Sequence, residues 1–171
     1  TVSGIAAALA VLVALALSYS VRLSRGRLPQ IMRRLVELGY AVPGAVIAIG
    51  ILIPVARLDH WLGDQILRHF AFDPGLVITG GLAALVYAYV VRYSAVALQT
   101  VEAGLTRIAP HLDDAARGLG AGRAETLWRV HLPLLRGSAL IAGLLVFVEV
   151  MKELPATLVM RPFNFDTLAT Q

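Results

Sequence analysis

Two clusters of residues in this chain have the types and spacing to do work, and neither has the make-up of a catalytic centre. The first is the run from Asp113 to Pro133, DDAARGLGAGRAETLWRVHLP. Asp113 and Asp114 follow Pro110 and fall in a first helical turn, where carboxylates complement the helix dipole. Ala115 and Ala116 leave a smooth face, with Leu119 on the same side. Gly118, Gly120 and Gly122 then break the helix. A second amphipathic piece follows with Leu127 and Val130, Trp128 lying off to one side. Pro133 opens the next helix where a missing amide does no harm. Helix, hinge, helix is a shape that docks a low-bulk apolar face into a groove on a partner.

The second cluster is Glu149, Lys152 and Glu153, at one end of an apolar stretch. Ionisable groups at membrane depth are costly and face a cavity or one another. They could line a translocation path, with carboxylates attracting a hard, oxygen-preferring cation. The alternative is an interfacial ion cluster in which Lys152 pairs with a carboxylate while its stem snorkels. Other chemistry is hard to build. Lys152 is the only lysine, and it follows no glycine-rich phosphate loop. No H-E-x-x-H and no G-x-S-x-G occurs, and there is no cysteine. His60, His69, His111 and His131 are scattered and read as surface residues, with no metal-ligand set. No catalytic residue, metal or cofactor is expected. A membrane-embedded enzyme would have to rest on Glu149 and Glu153 alone.

The elements that must position these clusters are set by hydropathy. Of 171 residues, 58 % are hydrophobic and 15 % charged, with a mean hydropathy of +0.75. A water-soluble domain carries about 25 % charged residues. The excess apolar surface therefore faces lipid, which makes the bilayer itself a partner. The fold class is all-α, a polytopic transmembrane helix bundle. Four stretches approach the roughly 20 residues that a helix needs to cross: about 2–21, 36–56, 74–95 and 133–151. The second is weaker, with Glu37 and Pro43 in its first half. The run from Thr1 lacks the basic start of a signal peptide.

Charge gives the orientation. Arg22, Arg25, Arg27, Arg33 and Arg34 crowd the first connection, and Arg92, Arg107, Arg117, Arg123, Arg129 and Arg136 crowd the third and its flanks. The positive-inside rule puts both on the cytoplasmic side of the membrane. The net charge of +4 and the pI near 10.0 then reflect topology, and no nucleic acid is expected as a partner. The docking run lies in a cytoplasmic loop of about 96–132, far beyond the roughly 2–8 residues of a simple helix connection. Small-xxx-small pairs at Gly44/Ala48 and Ala139/Gly143 would let helices approach closely. Tyr40 and Tyr93 read as aromatic-belt residues; Trp61 to Phe72 reads as an amphipathic stretch that either lies in the outer headgroup layer or packs as a loop helix on its neighbours.

The docking run resembles the EAA loop of the permease subunits of binding-protein-dependent ABC importers, E-A-A-x3-G-x9-I-x-L-P. Asp114, Ala115 and Ala116 stand at the opening triad, Gly120 at the glycine, and Val130, Leu132 and Pro133 at the close, with the spacing intact. Asp replaces Glu at the first position and Val replaces Ile at 130. KELPATLVMRPFNFDTLAT, from Lys152, and LGYAVPGAVIAIG, from Leu38, resemble the ferric-iron type of that family. The resemblance implies a type I importer permease that hydrolyses nothing itself. A cytoplasmic ATP-binding subunit docks on the loop, and a periplasmic or lipid-anchored binding protein delivers the substrate. It implies ferric iron as substrate, with polyamine, phosphonate, sulfate or thiamine as alternatives. An ATP-independent channel or structural subunit would need a continuous polar face, which no span shows. The start at Thr1 reads as a fragment, the second half of a longer permease lacking its last helix.

Overall fold

A computed structural model describes residues 2–23, 26–70, 82–153 and 157–158. Its elements are α1 (Val2–Leu23), α2 (Arg27–Ala41), α3 (Gly44–Phe70), α4 (Leu82–Leu105), α5 (His111–Gly118), α6 (Arg123–Thr126), a π-helical segment (Leu127–His131) and α7 (Leu132–Lys152). No strand occurs among the described residues. Four helical stretches there are long and apolar enough to cross a bilayer: Val2–Leu23, Gly44–Gln65, Leu82–Leu105 and Ala124–Lys152. The chain is an all-α polytopic membrane protein.

The boundaries differ from the sequence expectation in three places. The second stretch, expected over 36–56, is divided. Pro43 lacks an amide hydrogen and forces the residue before it out of the helical region; Val42 is extended, at φ −85° and ψ 132°. One helix therefore ends at Ala41, and the apolar one starts at Gly44 and runs on through Arg57, Asp59 and Trp61. The third helix continues to Leu105, so residues 96–105, expected in the loop, are the last turns of α4. Its expected start, 74–81, lies outside the described residues, as do Phe72 and most of the tail beyond Glu153. The fourth helix does not begin at Pro133. Helix runs unbroken from Arg123 to Lys152, with the π segment absorbing the proline. Pro133 has no N–H to offer Arg129. The chain widens its turn there, with the Leu132 amide donating to Leu127 O, five residues back.

The hub is α4, which packs against α1, α2, α3 and α7. Small residues make this possible. Val2, Ala6, Ala10, Ala14 and Ser18 of α1 are all buried, and a four-residue spacing puts them on one ridge. They meet Ala84, Ala88 and Leu98 of α4 and Ala142 and Val146 of α7 in one core cluster. In lipid there is no hydrophobic effect to press helices together, so close backbone approach and dispersion do the work. Of the small pairs, Ala48 is fully buried, and Gly143 would set a Cβ 3.7 Å from Val11. Among the described glycines, the one set closest against the backbone of another helix is Gly39 of α2, where a Cβ would strike the carbonyl of Val91 in α4.

Gly39→Ala must push α2 away from α4, whereas Gly50 faces open space. Thermal unfolding in detergent is expected to show Gly39→Ala destabilised by about 1–3 kcal/mol, the usual cost of overpacking. Gly50→Ala is expected to be neutral or stabilising by up to about 1 kcal/mol, since alanine is the better helix former.

Candidate functional site

The docking run folds as two short pieces around a hinge. Asp113 and Asp114 lie in the first turn of α5. Gly120 has φ +83°, a left-handed conformation that costs a residue with a Cβ about 1–2 kcal/mol. The Gly120 amide bonds to Arg117 O and the Ala121 amide to Ala116 O, which closes the helix in the manner of a glycine C-terminal motif. Past the hinge the chain re-enters helix at Arg123 and runs through the π segment into α7.

The two alanines separate. Ala116 is buried and packs α5 inward, while Ala115 is exposed. Asp114 is exposed too, held by Arg117 at 2.5 Å. Val130 and Leu132 are half-buried and Pro133 is exposed. Leu112, Ala115, Leu119 and Val130 line a cleft of about 390 Å³ on this surface. Leu119 is 89 % exposed and Trp128 66 %. Of the two, Leu119 lies outside the apolar spans, where a large apolar side chain so exposed is uncommon on a solvated surface.

A helix of eight residues does not hold itself together in water. What holds α5 is its first aspartate, which the sequence reading treated only as a dipole complement. Arg22, at the end of α1, donates through Nε to Asp113 Oδ2 at 2.9 Å and approaches it through a terminal nitrogen at 2.8 Å. The same guanidinium donates to Leu105 O at 3.0 Å and Ile108 O at 3.3 Å, capping the end of α4. Asp113 Oδ1 lies 2.5 Å from His131 Nε2. A carboxylate can only accept, so Nε2 carries the hydrogen. His131 was expected at the surface and is instead buried, 1 % exposed, with Tyr19 edge-on at 5.3 Å between ring centroids. One carboxylate thus ties α5 to α1, α4 and the segment leading into α7. No sequence signal connects Arg22 with Asp113, which lie 91 residues apart.

At the opposite end of α7 the three residues of the second cluster differ in exposure. Lys152 is exposed, Glu149 is half-buried, and Glu153 is buried. The residue that pairs Glu153 is Arg92 of α4, with Nε 3.4 Å from Oε2. Tyr93, expected in the aromatic belt, is buried and donates to the same oxygen at 2.5 Å.

Burial alone would raise the Asp113 carboxyl, but the hydrogen bonds and charges of Arg22 and His131 outweigh it and hold the group below the usual carboxylate range. A depressed pKa contributes stability that is present above the unfolded value of about 3.9 and is lost as pH falls through the folded value. Hydrogen exchange of the 111–118 amides, corrected for its intrinsic pH dependence, is expected to show protection steady from pH 7 to about 4 and lost below. Asp113→Asn is expected to lower protection about tenfold at pH 7 and to abolish the acid step, since a hydrogen bond to a charged group contributes about 1.5–3 kcal/mol.

The family model described as binding-protein-dependent transport system inner membrane component matches residues 4–161. An Fe(3+)-transport system permease protein of Haemophilus influenzae is 29 % identical over 98 % of this chain and 30 % of its own length. A ferric transport system permease protein of Actinobacillus pleuropneumoniae is 26 % identical over 75 % of this chain and 18 % of its own. A putative 2-aminoethylphosphonate transport system permease protein of Salmonella typhimurium is 31 % identical over 75 % of this chain and 42 % of its own. The chain therefore spans less than half the length of these relatives. Its apolar helices, its small-residue packing and the extent of the match agree, and the chain belongs to the family of inner membrane components of binding-protein-dependent transport systems.

Proposed function

We propose that this chain forms part of the permease of an ATP-driven importer in a bacterial inner membrane, and that Asp114 to Pro133 is where a separate ATP-binding subunit docks. The observation that carries the docking site is the pairing of Leu119, almost wholly exposed, with a helix that Asp113 anchors to the bundle. An exposed apolar knob on a mobile loop would transmit little. On an anchored helix, a push is passed to α1 through Arg22 and to α7 through His131. Ala115 permits close approach, Ala116 seats α5 on the bundle, Gly120 sets the bend, and Val130, Leu132 and Pro133 form the stem into α7. Asp114, on the exposed face beside Arg117, is available to a basic group of the partner.

Ferric iron is the substrate we favour, because permeases named for Fe(3+) or ferric transport recur among the similar proteins and one of them matches nearly the whole chain. The phosphonate permease supports an organophosphonate as the second reading, and polyamine, sulfate or thiamine follow more distantly from the family resemblance. A periplasmic or lipid-anchored binding protein would present the substrate at the outer end. Of the three residues at the end of α7, Glu153 is the one that faces the bundle interior and is our candidate for lining the pathway, beside half-buried Glu149 and outward Lys152.

In the full-length permease, Leu119→Asp combined with Ala115→Glu is expected to weaken co-purification of the ATP-binding subunit about thirtyfold, the scale of losing an interface hot spot. Uptake should fall with it. Unaltered uptake and retention of the ATPase would overturn the docking site. Uptake of radiolabelled ferric iron, compared with labelled 2-aminoethylphosphonate, decides between the two substrates.

A further inference from the structure

Halfway along α4 lies a polar junction that the docking site does not explain. Arg92 is thirteen residues before Leu105, about 20 Å along the helix axis from the end that Arg22 caps. Its side chain is 19 % exposed and that of Glu153 is 7 %. Charges at such depth are kept out of lipid and held for a reason.

Three elements meet there. The first is α4, through Arg92 and Tyr93. The second is the end of α7, where Glu153 leaves the helix with φ −77° and ψ 98°. The third is the break between α2 and α3. One terminal nitrogen of Arg92 donates to Val42 O at 2.8 Å, a carbonyl that the proline break leaves without a helical partner. The next residue but one, Gly44, is buried with its missing Cβ occupied: a side chain there would run into Glu153 Oε1 and the Arg92 guanidinium. The junction is filled, not hollow.

The pair is engaged but not optimal. Arg92 Nε lies 3.4 Å from Glu153 Oε2, and that buried Nε–H has no hydrogen-bond partner. Arg92 offers a planar fork that suits bidentate carboxylate binding, and here one prong goes to the broken backbone instead. Such a contact holds three elements together without the depth of a bidentate pair. A junction of this kind can part.

We propose that Arg92 and Glu153 form an intramembrane latch that seats the α2–α3 break against α4 and the end of α7, and that the transport cycle requires it to open. Both are positioning residues, and Gly44 is the clearance that lets the latch close. The transport role rests on the permease reading above; the latch itself is a matter of helix packing and is tested without any ATPase.

The chain has no cysteine, so Ala45→Cys places a single thiol in it, half-buried and next to Gly44. The experiment uses the full-length permease in membrane vesicles, any cysteine elsewhere removed, and a water-soluble maleimide. Glu153→Gln and Arg92→Gln are each expected to speed labelling about five- to thirtyfold, the effect of a bias of one or two kcal/mol. The double neutral variant is expected to label no faster than the faster single one, because two residues of one contact do not add. Labelling unchanged in both single variants overturns the latch, and so do single effects that multiply in the double. Should a neutral variant fail to reach the membrane, Glu153→Asp keeps the charge, shortens the reach and carries the same expectation. A second readout then ties latch to transport: with the ATP-binding subunit bound, Glu153→Gln is expected to raise ATP hydrolysis without binding protein about fivefold while uptake falls. Fast labelling with unchanged hydrolysis and uptake would overturn the role in the transport cycle and leave the ATPase docking site standing.

Discussion

A chain surrounded by hydrocarbon must satisfy its polar groups from within, because lipid offers no hydrogen bonds. In this protein two arginines take backbone carbonyls left open at helix ends, and a third joins two helices through their carboxylates. Arg22 takes the last carbonyls of α4 and the first aspartate of α5. Arg92 takes the carbonyl freed by the break at Pro43, together with Glu153. Arg33 bridges Glu37 of its own helix and Glu102 of α4, at 2.9 and 3.1 Å. A guanidinium suits this task. Its five donors are fixed in a plane and it stays charged at any physiological pH, so one side chain can close several open ends at once.

The apolar packing could not do this alone. The helices meet through alanine and glycine, which bring backbones close but give little directional information. A stripe of alanines slides by one turn at small cost. The arginine contacts are what set the axial register: α1 against α5 at the docking end, and α4 against α7 and the α2–α3 break near the middle. The two kinds of interaction divide the labour. Small residues decide how near the helices lie, and arginines decide at what height.

That division explains what could be read from the residues in order. Apolar runs are local, so the membrane character, the four long helices and the helix–glycine–helix of the docking run were legible before any coordinates. So was the alternation of basic segments, and Arg22 and Asp113 do meet at one end of the bundle. Contacts between distant residues were not. Nothing adjacent to Asp113 distinguishes it from Asp114, yet one is the anchor and the other is exposed. His131 has an arginine two residues before it and looked like surface, but the π turn carries it inside. Glu153 was singled out as an ionisable group at depth, whereas its partner Arg92 was counted among the orienting charges of a loop. In the sequence, proline weakens the second stretch at 43 and is a tolerated start of a span at 133. At 43 it divides the chain into two helices; at 133 it is absorbed within one.

The wide turn at Leu127–His131 has an effect that reaches well past its five residues. It feeds one surplus residue into an otherwise regular spiral, and each residue of an α-helix carries about 100° of rotation. The azimuth of everything downstream is therefore set by that surplus. Were the segment to relax to ordinary pitch, α7 would roll by about a quarter turn. Ala142, Val146 and Val150, now buried, would swing away from the core, and the residues one position before them, the exposed Ile141 and Leu145 among them, would be carried round in their place. The segment joins Arg123–Thr126 to the helix that stops just before Glu153, so any change of pitch at one end of α7 would turn the other end.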